Sequence, residues 1–118
     1  MPTVANYIVI QDSDTTLGET DTVQFDFDAP NLTVSTSNSN RPMLLLKLNP
    51  HADNARLEVV LNNQHLYGQT FSAGPIRSLN EVFSHGQLLP AGNTMFVANR
   101  LSGDFTVSDL CVMYKADI

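Results

Sequence analysis

Apolar and polar residues alternate along much of the chain, whereas the spacing of an amphipathic helix is rare. The alternation is clearest in 23–28, 44–48 and 56–62, where every second residue is Val, Leu or Phe. Because successive side chains of a strand point to opposite faces, this period of two predicts strands with one buried face. The turn residues between such stretches indicate roughly seven or eight short strands.

Two turn signals locate further strands. Asn62 and Asn63 tolerate the left-handed conformation of a tight hairpin, so a partner strand is expected at about 64–71. The Pro-Ala-Gly-Asn segment at 90–93 predicts a turn before 95–98. Residues 95–98 are apolar on both faces, which is typical of a central strand.

Two segments leave alternatives open. Within 104–116, the apolar residues change phase between Val107 and Leu110. Either a bulge near Ser108–Asp109 brings both sets to one face, or both faces are covered. Residues 78–83, in which a serine precedes a glutamate by three positions, are expected to form either a helical turn or the start of a strand.

The second half of the chain carries three ordered stretches, RLEVVLNNQHLYGQTF, LLPAGNTMFVANR and GDFTVSDLCVMYKADI. A strand ending in a tight Asn turn, a Gly-Asn turn before a core strand, and a last strand with Val-Ser-Asp follow one another. This order resembles the galactose-binding-like jelly roll over about residues 56–116. With the alternation, the resemblance implies an all-β fold, a single antiparallel jelly-roll-like β-sandwich over residues 1–118. A shared fold does not by itself transfer a function.

The chain of 118 residues is acidic, with a net charge of −6, and the excess charge lies in its first third. Residues 1–40 contain six Asp or Glu and no Lys or Arg, while residues 41–118 contain six of each sign. The size suits one domain with its own core. Because the basic residues are scattered, they form no positive stripe for phosphates, and no nucleic-acid partner is expected.

Compartment signals are sparse. The N-terminal residues show no signal-peptide pattern, and no apolar run is long enough for a membrane span. We therefore expect a soluble protein with no membrane span, whose localisation the sequence leaves unknown. Cys111 has no second cysteine to pair with, which suits a reducing compartment or a fold that is stable without disulfides.

The sequence contains no recognisable catalytic motif. Ser84 and His85 are adjacent and lack the Gly-x-Ser-x-Gly elbow of many hydrolases. The aspartate pairs 12/14 and 26/28 are each spaced to share one strand face, which is typical of a solvated edge. Cys111 neighbours core positions, so an inert packed thiol is expected. These observations predict that the protein is not an enzyme.

The acidic segment 11–21 offers oxygen ligands of the kind that Ca²⁺ takes. Asp12, Asp14 and Asp21 are the candidate metal ligands, and calcium is the one possible cofactor. The jelly-roll resemblance allows a structural calcium ion. Since the segment lacks the Gly and bidentate Glu spacing of an EF-hand loop, a solvated acidic loop is the alternative.

Carbohydrate binding is the leading functional hypothesis. Sugar sites combine a flat aromatic face with planar polar groups that bind hydroxyl pairs, and the predicted hairpin and the loop after it supply such groups. We expect a non-catalytic, lectin-like carbohydrate-binding or adhesion module with a glycan as partner. The absence of Trp counts against a lectin, and a merely polar hairpin tip is the alternative. The candidate ligand-binding residues are Asn62, Asn63, His65, Tyr67, Gln69, Arg77 and Asn80.

The rival hypothesis is a structural or assembly subunit of a homo-oligomer, such as a capsid, tail or appendage component. Leu45 and Val60 lie in the opposite phase to the other apolar residues of their predicted strands. Each strand therefore has apolar groups on a second face, which a neighbouring subunit, a sheet edge or a loop would cover.

Overall fold

A computed structural model describes residues 2–118, which contain nine β-strands and two short 3-10 turns, at Asn38–Asn40 and His85–Gln87. The longest strand is the last one, and the shortest contains three residues. The strands are β1 (Thr3–Gln11), β2 (Thr15–Leu17), β3 (Thr22–Phe27), β4 (Met43–Pro50), β5 (Ala55–Leu61), β6 (Gln64–Phe71), β7 (Arg77–Val82), β8 (Asn93–Asn99) and β9 (Phe105–Asp117).

The strands form two antiparallel sheets packed face to face. One sheet has the order β1-β9-β4-β7, with β2 pairing to β9 beyond the end of β1, and the other has the order β3-β8-β5-β6. This arrangement confirms the all-β, antiparallel sandwich expected from the alternation. None of the helical segments within residues 2–118 has the length and apolar character needed to cross a membrane.

The core fills the space between the sheets, and the period of two explains its membership. Along β5, the burial alternates at every residue, with Ala55, Leu57, Val59 and Leu61 fully buried. The same alternation on β4 and β8 places their leucines, methionine and valine against that layer. Removal of these apolar side chains from water is the main stabilising contribution to the fold.

The phase change in β9 is caused by a β-bulge, as one of the two alternatives predicted. One residue lies between Leu45 and Lys47 on β4, but two lie between their β9 partners, Cys111 and Ser108. The extra residue is Asp109, which has a positive φ of 52°. As a result, the apolar residues on both sides of the bulge, from Phe105 to Tyr114, share the buried face.

The two turn predictions are confirmed. Asn62 and Asn63 both have positive φ, 51° and 65°, and they join β5 to β6 as a two-residue hairpin. Gly92 also has a positive φ, 71°, in the turn before β8. That strand lies between β3 and β5, which is the central position expected from its apolar residues on both faces.

Residues 78–83 form no helical turn; most of them belong to β7. Six consecutive residue pairs join β7 to β4, and this pairing overrides a local capping signal of only six residues. The capping box of the chain lies just beyond, where Ser84 and Gln87 cap the 3-10 turn His85–Gln87.

Candidate functional site

A narrow crevice lies between β6 and β7, the strands that end the two sheets on one side of the sandwich. It is too narrow to hold a water molecule, and it is lined by Leu44, Leu46, Tyr67, Leu79, Asn80 and Glu81. Tyr67 and Gln69 pair with buried residues of β5, so the alternation turns both side chains toward the space between the sheets. Arg77, Leu79 and Glu81 share the inward-facing phase of β7.

Polar groups surround the half-buried ring of Tyr67 at the mouth of this crevice. The Tyr67 hydroxyl donates a hydrogen bond of 2.6 Å to Gln69 Oε1. The Arg77 guanidinium lies over the Phe71 ring, with Cζ 5.3 Å from the ring centroid. Because a guanidinium stacked on an aromatic face keeps its N–H groups directed sideways, Arg77 remains available as a donor.

The Tyr67 hydroxyl is kept in its protonated form. Burial raises the pKa of Tyr67, the negative charge of Glu81 raises it further, and the positive charge of Arg77 opposes them. Glu81 lines the crevice together with Tyr67, and Arg77 lies on the same inward-facing phase of β7. The crevice mouth therefore presents a phenol, an amide, a guanidinium and a carboxylate around one aromatic ring.

This set of groups suits reversible recognition of a polyol. A tyrosine ring offers an apolar face to the C–H groups of a sugar, while planar amide, carboxylate and guanidinium groups bind adjacent hydroxyls. The described crevice residues include no serine, cysteine or histidine arranged as a nucleophile with its base.

The structure separates the seven predicted ligand-binding residues. Tyr67, Gln69 and Arg77 meet at the crevice mouth. Asn80 borders the crevice from β7, but its pairing with Leu45 turns its side chain to the outer face. The other three lie on or beside the hairpin and do not face the crevice: Asn62, Asn63 and His65.

The side chain of Asn62 is hydrogen-bonded within the protein. Its Nδ2 donates hydrogen bonds to Gln87 O and Asn93 Oδ1, and its Oδ1 accepts one from the Thr94 N–H, all at 2.9 Å. Asn63 is exposed at the hairpin tip, and His65 lies on the outer face of the four-stranded sheet, across from Val60.

Glu81 is the crevice residue that the sequence reasoning did not select. The available signal was its phase, because Arg77, Leu79 and Glu81 are spaced by two and share a face in any strand. Because a helical turn at 78–83 was one of the two alternatives, and a helix spaces side chains differently, this phase did not by itself identify Glu81.

The predicted calcium ligands lie in two different loops. Asp12 and Asp14 are exposed between β1 and β2, and Asp21 lies between β2 and β3. Asp21 Oδ2 accepts a hydrogen bond of 2.8 Å from the Gly18 N–H. Across residues 2–118, no three His, Cys, Asp or Glu side chains are grouped as a metal would need. The calcium site stays a prediction.

A second concavity, of about 400 Å³, lies at the opposite edge of the five-stranded sheet, by the ends of β1 and β9. Hydroxyl, amide and carboxylate groups line it together with Val34, but no aromatic ring does. Without a flat apolar face, it lacks one half of the chemistry that a sugar site needs. The residues that line it are Thr3, Thr33, Val34, Ser35, Asn40 and Asp117.

Solved structures share this fold, although no protein-family profile and no curated protein matches the sequence. The CBM36-1 domain of a multidomain xylanase from the hindgut metagenome of Trinervitermes trinervoides matches with a TM-score of 0.66 and 12% identity, over 96% of this chain and 100% of that domain. The C-terminal CBM6 of LamC, a marine laminarinase from Zobellia galactanivorans, matches with a TM-score of 0.54 and 7% identity, over 94% and 99%.

Longer proteins contain the same fold as one part. The β-porphyranase BpGH86A from Bacteroides plebeius matches with a TM-score of 0.68 and 13% identity, over 97% of this chain. This chain spans only 13% to 21% of the longer proteins that it matches first. At such identities the likeness concerns the fold. The chain has the galactose-binding-like jelly-roll sandwich that is found in carbohydrate-binding modules of families 36 and 6.

Proposed function

We propose that the protein is a non-catalytic carbohydrate-binding module, and that it holds a glycan at the crevice between β6 and β7. The observation that carries the proposal is the convergence of Gln69, Arg77 and Glu81 around the ring of Tyr67. The fold supports it, because the solved structures that match over their full length are carbohydrate-binding modules.

The crevice is too narrow to enclose a sugar ring, so the glycan lies along its mouth. There the Tyr67 ring contacts the C–H face of one sugar, and its hydroxyl stays protonated because its pKa is raised. Gln69 and Arg77 are exposed, and they bind the hydroxyls of the same or the next sugar. Such open sites bind chain segments with modest affinity per sugar.

A glycan array followed by titration tests the proposal. We expect Tyr67→Ala to abolish binding, Gln69→Ala and Arg77→Gln to weaken it, and Tyr67→Phe to keep part of it because the ring remains. Val34→Ala is the control, since Val34 is 92% exposed and lies at the opposite edge of the five-stranded sheet. Loss of binding in the control, or unchanged binding in Tyr67→Ala, would contradict the proposal.

A second candidate function, assembly with another copy of the chain, is favoured by an apolar band on the outer face of the five-stranded sheet. The band occupies two neighbouring rows across β1, β9, β4 and β7. Tyr7, Val9 and Val82 are 59%, 63% and 53% exposed, which is unusual for so many adjacent apolar groups. The band consists of Tyr7, Met113, Met43 and Val82 in one row and Val9, Cys111 and Leu45 in the next.

Charges beside the band suit a two-fold pair of identical chains. Lys115 lies one row beyond Met113, and Asp109 lies one row beyond Cys111, on the same face. An axis that runs across the strands between the two apolar rows would place Asp109 of each copy opposite Lys115 of the other. The apolar rows would then pack on each other, with Lys115 of each copy facing the Lys47–Asp109 ion pair of the other.

A further inference from the structure

A row of four paired residues, which we call the trough, crosses the outer face of the four-stranded sheet, away from the crevice. The row consists of Gly68, Glu58, Ala98 and Thr22, which are paired successively on β6, β5, β8 and β3. Gly68 and Ala98 have the smallest side chains, so the larger side chains of the adjacent rows project above them on both sides. Of the chain's six basic residues, two border this trough.

Glu58 holds those two arginines in place. Its Oε1 accepts a hydrogen bond of 3.1 Å from Arg56 Nε, and its Oε2 accepts one of 3.3 Å from Arg100 Nε. Burial raises the pKa of Glu58, but the hydrogen bonds and charges of the two arginines outweigh it and lower the pKa below its ordinary value. The carboxylate therefore stays ionised and keeps both guanidinium groups along one side of the trough.

Since Glu58 occupies only the Nε–H groups, both Nη groups of Arg100 and the Nη2 group of Arg56 remain for a ligand. Arg56 Nη1 donates to Thr70 Oγ1, whereas its Nη2 lies beside Gly68. Arg100 makes no other side-chain hydrogen bond to the described residues, and its side chain is 49% exposed. The guanidinium end is the planar fork that binds carboxylate or sulfate groups with two parallel hydrogen bonds.

The side chains of His65 and Arg56 lie over the backbone of Gly68. A methyl group placed on Gly68 would lie 2.9 Å from both Arg56 Nη2 and His65 Cε1. An alanine there would displace both side chains, so the absence of a side chain at Gly68 brings an imidazole and a guanidinium together. Together with the guanidinium of Arg100, these two groups lie beside a row whose one carboxylate is that of Glu58. Such a cluster of basic groups stands out in a chain of net charge −6.

We propose that this trough binds an oxyanion substituent of a saccharide, a uronate carboxylate or a sulfate ester, with Arg100 and Arg56 as its main ligands. The row on the opposite side contains Val60 and Phe96, paired across β5 and β8. Phe96 is half-buried and offers a flat apolar face across the trough from the arginines, which suits the ring of the same sugar. The assignment to a saccharide rests on the proposed glycan-binding function; the oxyanion contact does not.

Titrations followed by the amide signals of a ¹⁵N-labelled chain test the proposal. The probes are D-glucuronate and D-galactose 6-sulfate, with D-glucose, D-galactose, acetate and inorganic sulfate as references. We expect the charged sugars to shift the signals of Gly68, Glu58 and Ala98 and to bind at least about tenfold more tightly than the neutral sugars, because a charge-assisted fork is formed. Comparison of the two charged sugars identifies which oxyanion is preferred.

Arg100→Gln should weaken binding of the preferred charged sugar by about tenfold or more, and Arg100→Lys should restore only part, since it keeps the charge but not the fork. Arg41→Gln is the matched control, because Arg41 bonds elsewhere, to Phe83 O and Ser84 Oγ. Equal binding of charged and neutral sugars, an unchanged Arg100→Gln, or inorganic sulfate and acetate binding as tightly as the sugars would overturn the proposal.

The two proposals fail separately. If Tyr67→Ala loses neutral glycans while charged sugars still shift the Gly68 signal, both stand. If no glycan responds to Tyr67→Ala but the charged sugars require Arg100, the crevice proposal fails and the trough proposal stands. If neutral glycans bind at Tyr67 and charged sugars leave the Gly68 signal unmoved, the trough proposal fails alone.

Discussion

Asn62 at the β5–β6 hairpin donates a hydrogen bond of 2.9 Å from its Nδ2 to Oδ1 of the fully buried Asn93 at the start of β8. Asn93 in turn bonds the main chain of Phe27 and Leu89, so one amide pair connects four segments. A buried polar side chain is costly unless its donors and acceptors are satisfied, and these two satisfy each other. Asn62, one of the predicted sugar ligands, therefore uses its side-chain amide to connect segments of the fold.

We expect Asn62→Ala to destabilise the protein by about 2 to 4 kcal/mol. The substitution removes three hydrogen bonds, takes the Asn62 acceptor from the Thr94 N–H and one of two donors from Asn93 Oδ1, and puts a less tolerant residue at positive φ. Urea unfolding followed by circular dichroism measures the change in the free energy of unfolding.

Asn63→Gly is the control for that substitution. Asn63 has a similar positive φ of 65° but is exposed, and glycine tolerates this conformation. We expect its free energy of unfolding to change by less than about 0.5 kcal/mol. Equal losses in the two variants would mean that the internal hydrogen bonds of Asn62 contribute nothing measurable.

Gly103 is expected to be irreplaceable. A methyl group at this position would lie 2.1 Å from Asp53 O and 2.9 Å from Ala55 N, both main-chain atoms that cannot rotate away. We expect Gly103→Ala to lower the free energy of unfolding by about 3 kcal/mol or more, or to prevent folding. Gly86→Ala, where a methyl group meets nothing within 4 Å, should melt within a few degrees of wild type.

The sequence predicted the strands well because their determinants are local. The alternation in 56–62 and the paired asparagines at 62–63 decide which side chains are buried and where the chain turns, and both were confirmed. The phase change in β9 was also visible, since a bulge shifts the period of two by one residue. Such signals need no knowledge of distant residues.

The candidate site was only partly predictable because it depends on pairing between sheets. Tyr67 and Glu81 belong to different sheets and meet only because β6 and β7 end the two sheets on the same side. Likewise, Arg56 and Arg100 converge through the β5–β8 pairing, although 44 positions separate them in the sequence. Residue types alone do not distinguish Asn62, used internally, from Gln69, which is exposed.

The ion cluster of Glu58 gives a prediction for pH dependence. Because the pKa of Glu58 in the folded protein is below its ordinary value of 4.5, the cluster stabilises the fold above about that pH and stops doing so as the pH falls through the lowered pKa. Wild type should therefore be more stable than Glu58→Gln at pH 7, and this advantage should shrink toward pH 3. Urea unfolding of both proteins from pH 7 to 3 measures the difference.

Arg41→Gln is the control for the pH series, since it removes one positive charge outside the cluster. The difference in free energy of unfolding between Arg41→Gln and wild type should not shrink in the same way as the pH falls. Because the two arginines are partly exposed, we expect the advantage of wild type at pH 7 to be below about 1 kcal/mol and to shrink with added salt. A constant difference between wild type and Glu58→Gln across the series would contradict the prediction.

The calcium hypothesis predicts that Ca²⁺ raises the melting temperature and that EDTA reverses the rise, because an ion that binds only the folded state stabilises it by mass action. Asp12→Asn and Asp14→Asn should abolish the effect. Asp26→Asn, on the exposed face of β3, is the matched control for the loss of one negative charge. An unchanged melting temperature at millimolar Ca²⁺ would rule out this site.

The apolar band predicts a dimer in solution. At micromolar concentration, light scattering should give twice the 12.9 kDa mass of one chain, and Leu45→Glu should give one chain, because it places a charge in the centre of the band. Val60→Glu is the matched control, since Val60 is half-buried on the outer face of the other sheet. Lys115→Asp should weaken the dimer, because it would place a carboxylate opposite Asp109 of the other copy across the two-fold axis. A monomeric wild type at tens of micromolar would refute assembly through this face.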